Sequence, residues 1–403
     1  MMILGASELQ VPAIRKAKEL GYQIILIDYN DKAVGFELAD VKLVVSTLDQ
    51  EEVYRQALIY QPDVVITSTS DGPVRTAAYV NEKLGKKPDL AYEDSLCATI
   101  KSYMRNRLKE NNVPIPEYHA VQNFEEFKAA VEKLEGKCIV KPADNAGSRG
   151  VVALNDGGER SGEELRHTYE YSKENSRNGI VMVEEFMTGP EVSVEAMTVD
   201  GETTILTITD KFITPPPYFV EIAHSEPSRL DEATQERIRQ VALQAIAAIR
   251  LQNGPSHTEI KVTKEGPKIV EIAARLGGDF ITSRLVPLST GVDMVGASVL
   301  LATGGKVNLE HKWKKGSAIH FIQGKEGVIK NIVIDEALSQ LEGVEEVDVY
   351  KKAGDAVHGT RSSNDRLGHI ITVGETAEEA MEIGRRGMEL IRVEFEKQNS
   401  FNG

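Results

Sequence analysis

The first ninety or so residues alternate short apolar runs with segments of helical period. "MMILGAS" gives way to "ELQVPAIRKAKELG", then to "YQIILIDYN", and later to "PDVVITSTS". Apolar runs separated by helical patterns are the rhythm of βαβ units and a parallel sheet. Val11, Ile14 and Ala17 recur at helical spacing, with Ser7 placed to cap the helix and Gly21 placed for a left-handed C-terminal cap. Residues 1–94 are therefore expected to form a doubly wound, Rossmann-like domain.

From Ser95 the texture changes. "SLCATIKSYMRNRLKENN" reads as helix and ends at "VPIPEY", whose prolines interrupt further helix. The runs "KCIVKPA", "GVVALND", "IVMVEEF", "EVSVEAMTV" and "TILTITDKF" follow, separated by glycine-bearing turns, and read as antiparallel sheet with helices alongside. The amphipathic "DEATQERIRQVALQAIAAIRLQ" then leads into "HTEIKVTKEGPKIVEIAARLGGDF", a hairpin pattern. These elements define a second domain over residues 95–308. Beyond it, "KGSAIHFIQ", "GVEEVDVY" and "LGHIITVG" with a helix over "TAEEAMEIGRRGMELIRVEF" predict a small α+β lobe over 309–403.

Composition narrows the class. A chain of 403 residues with 41% hydrophobic and 27% charged positions can bury a large core. A net charge of −15 would repel a phosphate backbone, so nucleic acid is an unfavoured partner. Cys97 and Cys138 stand in unrelated contexts and read as plain core residues of a reducing compartment. No run of about 18 apolar residues is present, and the N-terminus lacks a basic region before its apolar segment, so a cytoplasmic protein without a membrane anchor is expected.

Several stretches carry chemistry. In "VKPADNAGSRGV" the lysine, Lys141, precedes the glycines, and no Gly-Lys pair in the chain is followed by Ser or Thr, which excludes a Walker loop. Gly147, Ser148 and Gly150 still offer small-residue backbone that can fold over anionic oxygens, with Lys141 aimed at them. In "VEEFMTGPEVSVE", Glu184, Glu185 and Glu191 crowd a half-buried stretch and need donors. A nucleoside supplies them through an exocyclic amine and ribose hydroxyls, with backbone groups of Glu185 and Met187 reading the base edge; a solvated edge strand is the plainer reading.

The hairpin goes further. A three-residue turn, Lys264 to Gly266, would set Glu259 opposite Glu271 with side chains about 5 Å apart. A two-residue turn would place them on opposite faces. Facing carboxylates repel unless a cation bridges them, and Mg²⁺ commonly takes one or two carboxylates plus substrate phosphates. Arg275 and the pair Gly277-Gly278 follow in "ARLGG", setting a guanidinium suited to carboxylate or phosphoryl oxygens beside unobstructed backbone. "TDKFITPPPYFVEIAHSEPSRL" carries Lys211, a triple proline, Tyr218, Phe219, Glu221 and His224, and reads as a substrate-facing loop.

Taken in order, these motifs resemble the ATP-grasp superfamily, whose members activate a carboxylate as an acyl phosphate and pass it to a nucleophile. The resemblance covers nearly the whole chain. It implies an ATP-grasp fold, α/β and α+β, with an N-terminal doubly wound parallel-sheet (pre-ATP-grasp) domain, central and lid subdomains, and a small C-terminal α+β lobe. It further implies that Lys101 and Lys141 contact ATP phosphates beneath a lid formed by Gly147 to Gly150. Glu184, Glu185, Phe186 and Met187 would form the adenine hinge and Glu191 would hold the ribose. Glu259 and Glu271 would hold Mg²⁺, with Mn²⁺ as an alternative, and Arg275 the transferred phosphoryl group or carboxylate. One departure is Ala273, where the superfamily usually places a metal-binding Asn.

Within the superfamily, "PPPYFVEIAHSEPSRL" followed by "EIAARLGGDF" is most similar to the L-amino acid ligases of the bacilysin-synthesis type. That similarity implies small-molecule carboxylate and amine substrates, namely amino acids, near Glu221, His224, Arg275, Gly277 and Gly278, with Lys211 beside them. A homodimer is compatible with it. The alternatives are another ATP-grasp carboxylate ligase, of carbamoyl-phosphate-synthase or purine-pathway type, and a nucleotide-binding regulator without catalysis, motivated by Ala273. A nicotinamide-dependent oxidoreductase would need Asp28 for a ribose, but "LGASELQ" has one glycine where that fingerprint needs three.

Overall fold

The computed structural model describes residues 1–86, 89–145, 149–154, 158, 160–215 and 219–396. Its first strands, β1 (Met2–Leu4), β2 (Ile25–Asp28), β3 (Val41–Val44) and β4 (Val65–Thr67), form a parallel sheet in the order β3-β2-β1-β4. The helix after β1 spans Val11–Glu19, and Gly21 takes the left-handed conformation expected of it, with φ +84°. Ser7 differs from expectation. It precedes a short 3₁₀ turn, Glu8–Gln10, and its hydroxyl goes to the Gln10 side chain, so no side-chain cap bond forms. Asp28, at the end of β2, accepts from Ala6 N at 2.8 Å and Asn30 N at 2.9 Å.

The helical stretch after Ser95 is broken. A short helix, Tyr92–Ser95, runs into a 3₁₀ turn, and a separate helix starts at Lys101 and ends at Glu110. Ile100 between them is extended, and Lys101 N donates to Ala143 O at 2.7 Å, tying the new helix to the lid. The lid sheet contains β5 (Tyr118–Val121), β6 (Cys138–Pro142), β7 (Val152–Leu154) and β8 (Val181–Glu185), antiparallel in the order β5-β8-β6-β7. Phe127, Val140, Tyr169 and Val183 give it a core of its own. Cys138 belongs to that core and Cys97 to the central one; both are free and buried, as read from sequence.

The third sheet crosses the molecule. It takes in β9 (Glu191–Val199), β10 (Glu202–Ile213), β11 (Glu221–Glu226), β12 (Gly254–Thr263) and β13 (Gly266–Ala273). Beyond position 308 come β14 (Gly316–Ile322), β15 (Glu326–Ile334), β16 (Val344–Val349), β17 (Ala356–His358), β18 (Gly368–Gly374) and β19 (Ile391–Phe395). The strand order β13-β12-β9-β10-β11-β14-β18-β16 is continuous across position 308, so the C-terminal lobe shares its sheet with the central strands. The C-terminal helix is shorter than its sequence pattern suggested. It ends at Glu389, and Ile391–Phe395 pairs with β15 because Ile391, Val393 and Phe395 alternate with period two onto a small apolar cluster.

Two apolar cores lock these layers. Ile3 and Leu26 of the N-terminal sheet and Ile14 of its first helix share one with Leu276, Ile281, Ile319, Phe321 and Ile371. The helix Glu232–Ala248 packs Ile238, Ala242 and Ile246 against Met104, Leu108, Val194 and Ile272 in the other. Among the described residues, no single helix is long and apolar enough to cross a membrane.

The hairpin β12–β13 reaches the expected pairing by an unexpected route. Thr263 pairs with Gly266 across a two-residue turn, Lys264-Glu265, which alone would put Glu259 and Glu271 on opposite faces. A bulge between Glu259 and Ile260 leaves Val270 without a partner and restores the offset, so Glu259 stands directly opposite Glu271. Deleting Val270 removes the bulge residue and leaves Glu271 directly after Ile269, still opposite Glu259 in the turn's own register. A Glu259→Cys/Glu271→Cys pair is therefore expected to oxidise to a disulfide both in the otherwise unaltered chain and in the deletion variant, as read by thiol titration.

Candidate functional site

The lid and the face of the central sheet below it line a cleft of about 980 Å³ that is open to solvent. Its walls carry Lys101, Lys141, Glu184, Glu185, Phe186, Met187, Glu191, Lys211, Glu221, Glu259 and Glu271, all singled out from sequence. Gly147 and Ser148 of the expected lid loop, and Tyr218 beside the prolines, lie outside the described residues. Gly150 is packed into the lid at φ +76°, where an added Cβ would stand 2.6 Å from Asn175.

Alternation along neighbouring strands sets charges of opposite sign side by side. Lys211 of β10 is in register with Glu191 of β9, which is in register with Lys261 of β12. Lys211 Nζ lies 2.9 Å from Glu191, 2.8 Å from Glu259 and 3.8 Å from Glu221, with only 4% of its side chain exposed. Burial works against the ammonium, but the carboxylates of Glu191, Glu259 and Glu221 hold it well above the ordinary lysine value. Lys261 takes the other Glu191 oxygen at 2.7 Å.

At the other end of the cleft, Glu184 was expected to offer a free acceptor to a nucleoside. Its donors come from the protein instead. Arg105 forks onto both oxygens at 2.9 Å, and Lys141 Nζ lies 2.7 Å from Oε2. Burial would raise the Glu184 carboxyl, yet Arg105 and Lys141 bring it down to about 2. Glu184 therefore aims Lys141, and the hinge face of the cleft is left to Glu185, Phe186 and Met187, with Phe219 packed 6.2 Å from Phe186 between ring centroids. Glu185 is tethered by Lys268 at 3.1 Å.

Lys101 closes the row. Its Nζ reaches Glu271 Oε1 and the Asn145 carbonyl, each at 3.0 Å, so it bridges the hairpin and the lid. The paired carboxylates are thus met by ammonium groups, Lys101 on Glu271 and Lys211 on Glu259. Their oxygens suit Mg²⁺ in combination with phosphates. Opposite Ala273 stands His257, whose Nδ1–H donates to Glu195 Oε1 at 2.7 Å while Nε2 lies 3.5 Å from Glu259. Burial lowers the imidazole, but Glu195 and Glu259 carry it up to about 9. Gly277 fits because an added Cβ there would stand 2.8 Å from Glu195 Oε2 and 2.9 Å from His257 Nδ1.

Arg275 is mostly buried; its Nε donates to Asp71 Oδ1 at 2.6 Å, at the start of the helix Gly72–Lys83, and the cleft carboxylates Glu271 and Glu259 stand near enough to add to the hold of Asp71 on its charge. His224 is likewise buried, bonded through Nε2 to Asp279 Oδ2 at 3.3 Å. Sequence reasoning missed Arg105, Glu195, His257, Lys261, Asp71 and Asp279. Helical spacing from Lys101 would have found Arg105, and period-two spacing from Glu259 and Glu191 would have found His257, Lys261 and Glu195. Asp71 and Asp279 carry no local signal.

The model of the ATP-grasp domain matches residues 134–283, and the model of the L-amino acid ligase C-terminal domain 2 matches residues 319–396. The chain carries an ATP-grasp domain over residues 134–283. It is 26% identical to an L-arginine-specific L-amino acid ligase of Bacillus subtilis over 76% of this chain and 74% of that one. It is 30% identical to an alanine–anticapsin ligase of Bacillus subtilis (strain 168) over 57% of this chain and 51% of that one. The chain spans about half to three-quarters of the length of the curated relatives it matches. A crystal structure of L-amino acid ligase from Bacillus licheniformis superposes with a TM-score of 0.83 at 22% identity, covering 98% of each chain.

One titratable group in this ATP-grasp sheet stands apart from the charged rows. Glu226 is fully buried and accepts from Thr209 at 2.9 Å and Ser289 at 2.8 Å; burial pushes its carboxyl up to about 8. The folded chain holds that proton more tightly than the unfolded one, so this group costs stability as pH rises from the ordinary 4.5 towards 8. Glu226→Gln keeps the shape without the charge. It is expected to raise Tm at about pH 8.5 and to change it little at about pH 4.5, as followed by thermal unfolding.

Proposed function

We propose that the protein is an ATP- and Mg²⁺-dependent carboxylate–amine ligase that joins two amino acids, releasing ADP and phosphate. The observation that carries the reading is the pairing of Glu259 with Glu271 on a cleft wall that also bears Lys101 and Lys141. Two ammonium groups suit a polyphosphate, and two facing carboxylates suit the divalent ion that accompanies it. The match to the L-amino acid ligase C-terminal domain 2 and the similarity to an L-arginine-specific L-amino acid ligase and an alanine–anticapsin ligase support amino acids as substrates.

In this reading Lys101 and Lys141 neutralise phosphate oxygens, and Glu184 with Arg105 fixes Lys141 where it is needed. Phe186, Met187 and Phe219 present an apolar face for the base, and Glu191, steadied by Lys211 and Lys261, takes the ribose. Mg²⁺, held by Glu259 and Glu271, would supply charge neutralisation at the transferring phosphoryl group. One carboxylate becomes an acyl phosphate, the amine of the second substrate attacks its carbonyl carbon, and phosphate leaves. The chain contributes position and charge. Glu221, which lines the cleft beside Lys211, is the counter-charge for an ammonium.

A grid of amino-acid pairs with ATP and Mg²⁺ is expected to release phosphate and ADP, with a mass-detected dipeptide for the productive pairs. Formation of AMP and pyrophosphate would sink the acyl-phosphate route. In the same assay Glu271→Gln should lose roughly 10²–10³-fold in rate, the scale of one removed electrostatic contact to a transition state. Unchanged turnover would refute the metal assignment.

A further inference from the structure

A loop from the C-terminal lobe, which neither the nucleotide nor the metal uses, reaches the cleft-lining Glu221. Ser363, between β17 and β18, donates its hydroxyl to Glu221 Oε2 at 3.0 Å. Arg366, three residues on, forks onto Asp279, with Nη1 to Oδ2 at 2.8 Å and Nη2 to Oδ1 at 2.6 Å. Its Nε returns to the Ser363 carbonyl at 2.8 Å, and its guanidinium lies 3.7 Å from the centroid of the Phe321 ring. Asp279 Oδ2 also meets His224 Nε2. Two contacts, one direct and one through Asp279, thus run from this loop to Glu221 and His224.

The clamp is more than a surface ion pair. The Arg366 and Asp279 side chains are 9% and 20% exposed. Asp279 and Phe280 adopt left-handed backbone at φ +51° and +62°, which residues with a Cβ seldom take unless their surroundings impose it. The surroundings here are C-terminal: Arg366 grips Asp279, and the Phe280 ring lies 4.5 Å from that of His369 in β18. With Nε2 committed to Asp279, His224 Nδ1 is buried and has no hydrogen-bond partner among the described residues. Lys211 is the cross-strand neighbour of His224, on the charged row of the cleft.

We propose that the loop Thr360–Arg366 is the specificity element for the amine substrate, with Ser363 aiming Glu221 and Arg366, through Asp279, aiming His224. The inference rests on the ligase reading above and adds to it the C-terminal lobe as part of the amino-acid pocket. The ligand it fits is an α-ammonium group. Glu221 is held by one hydroxyl and by an ammonium 3.8 Å away that is shared with two nearer carboxylates, so its charge is left for a cation. Ser363 and Arg366 are positioning residues, since they act through Glu221 and His224.

The test uses the full chain with steady-state kinetics against ATP and each amino acid. Ser363→Ala is expected to raise KM for the amine substrate roughly tenfold, the scale of one lost hydrogen bond to a charged group. KM for ATP and Tm should stay close to the unaltered chain, and Ser363→Thr, which keeps the hydroxyl, should restore KM. Arg366→Lys is expected to change which amines appear in mass-detected products. Unchanged amino-acid constants in Ser363→Ala, or an equal rise for ATP and both amino acids, overturns the inference alone. An unaltered chain that turns over no amino-acid pair overturns the ligase reading and the inference with it.

Discussion

An ammonium group as buried as that of Lys211 keeps its charge only when carboxylates stand against it, and the rest of the cleft is arranged around that requirement. Three glutamates from three strands meet it, Glu191, Glu221 and Glu259. Each needs its own strand in a fixed register. Removing one partner from such a buried set costs ~3–5 kcal/mol, so the pairing of β9, β10, β11 and β12 and the charge pattern of the cleft support one another. The same logic operates at Glu184, where Arg105 and Lys141 arrive from the helix after Ile100 and from β6. Charge pairing thereby ties the lid, the helix and the central sheet to one geometry.

Lys101 and Lys141 are held in place by Glu271 and Glu184, so in the proposed ligase they would be directed before any phosphate arrives. Preorganised charge of this kind does not have to be reorganised during reaction. The N-terminal domain contributes through Asp71 on Arg275 and a shared apolar core, and the C-terminal lobe contributes through Ser363 and Arg366.

Much of this was legible in the chain. The βαβ rhythm, the lid strands, the lysine ahead of its glycines and the acidic hinge all rest on local pattern, and local pattern is what period and turn chemistry encode. The hairpin shows where local reading stops. Glu259 does face Glu271, but through a two-residue turn corrected by a bulge at Val270, and a bulge depends on how β13 must sit on β12 rather than on any turn residue. Glu184 shows the same limit in electrostatics. Its need for donors was evident, but which donors would satisfy it depended on a helix about eighty positions earlier.

The sequence by itself determined the order of elements, the residue types available to the cleft and the strand alternation that sends Lys261, Glu259 and His257 to one face. Those properties follow from periodicity along a single strand or helix. The tertiary structure alone decided which charge answers which. It assigned Arg105 to Glu184, Asp71 to Arg275 and Arg366 to Asp279, pairs separated by 79, 204 and 87 positions. No local spacing relates such residues. They meet because the packing of the sheets and helices withdraws those groups largely from water, and a mostly buried charge takes the partner that packing brings within reach.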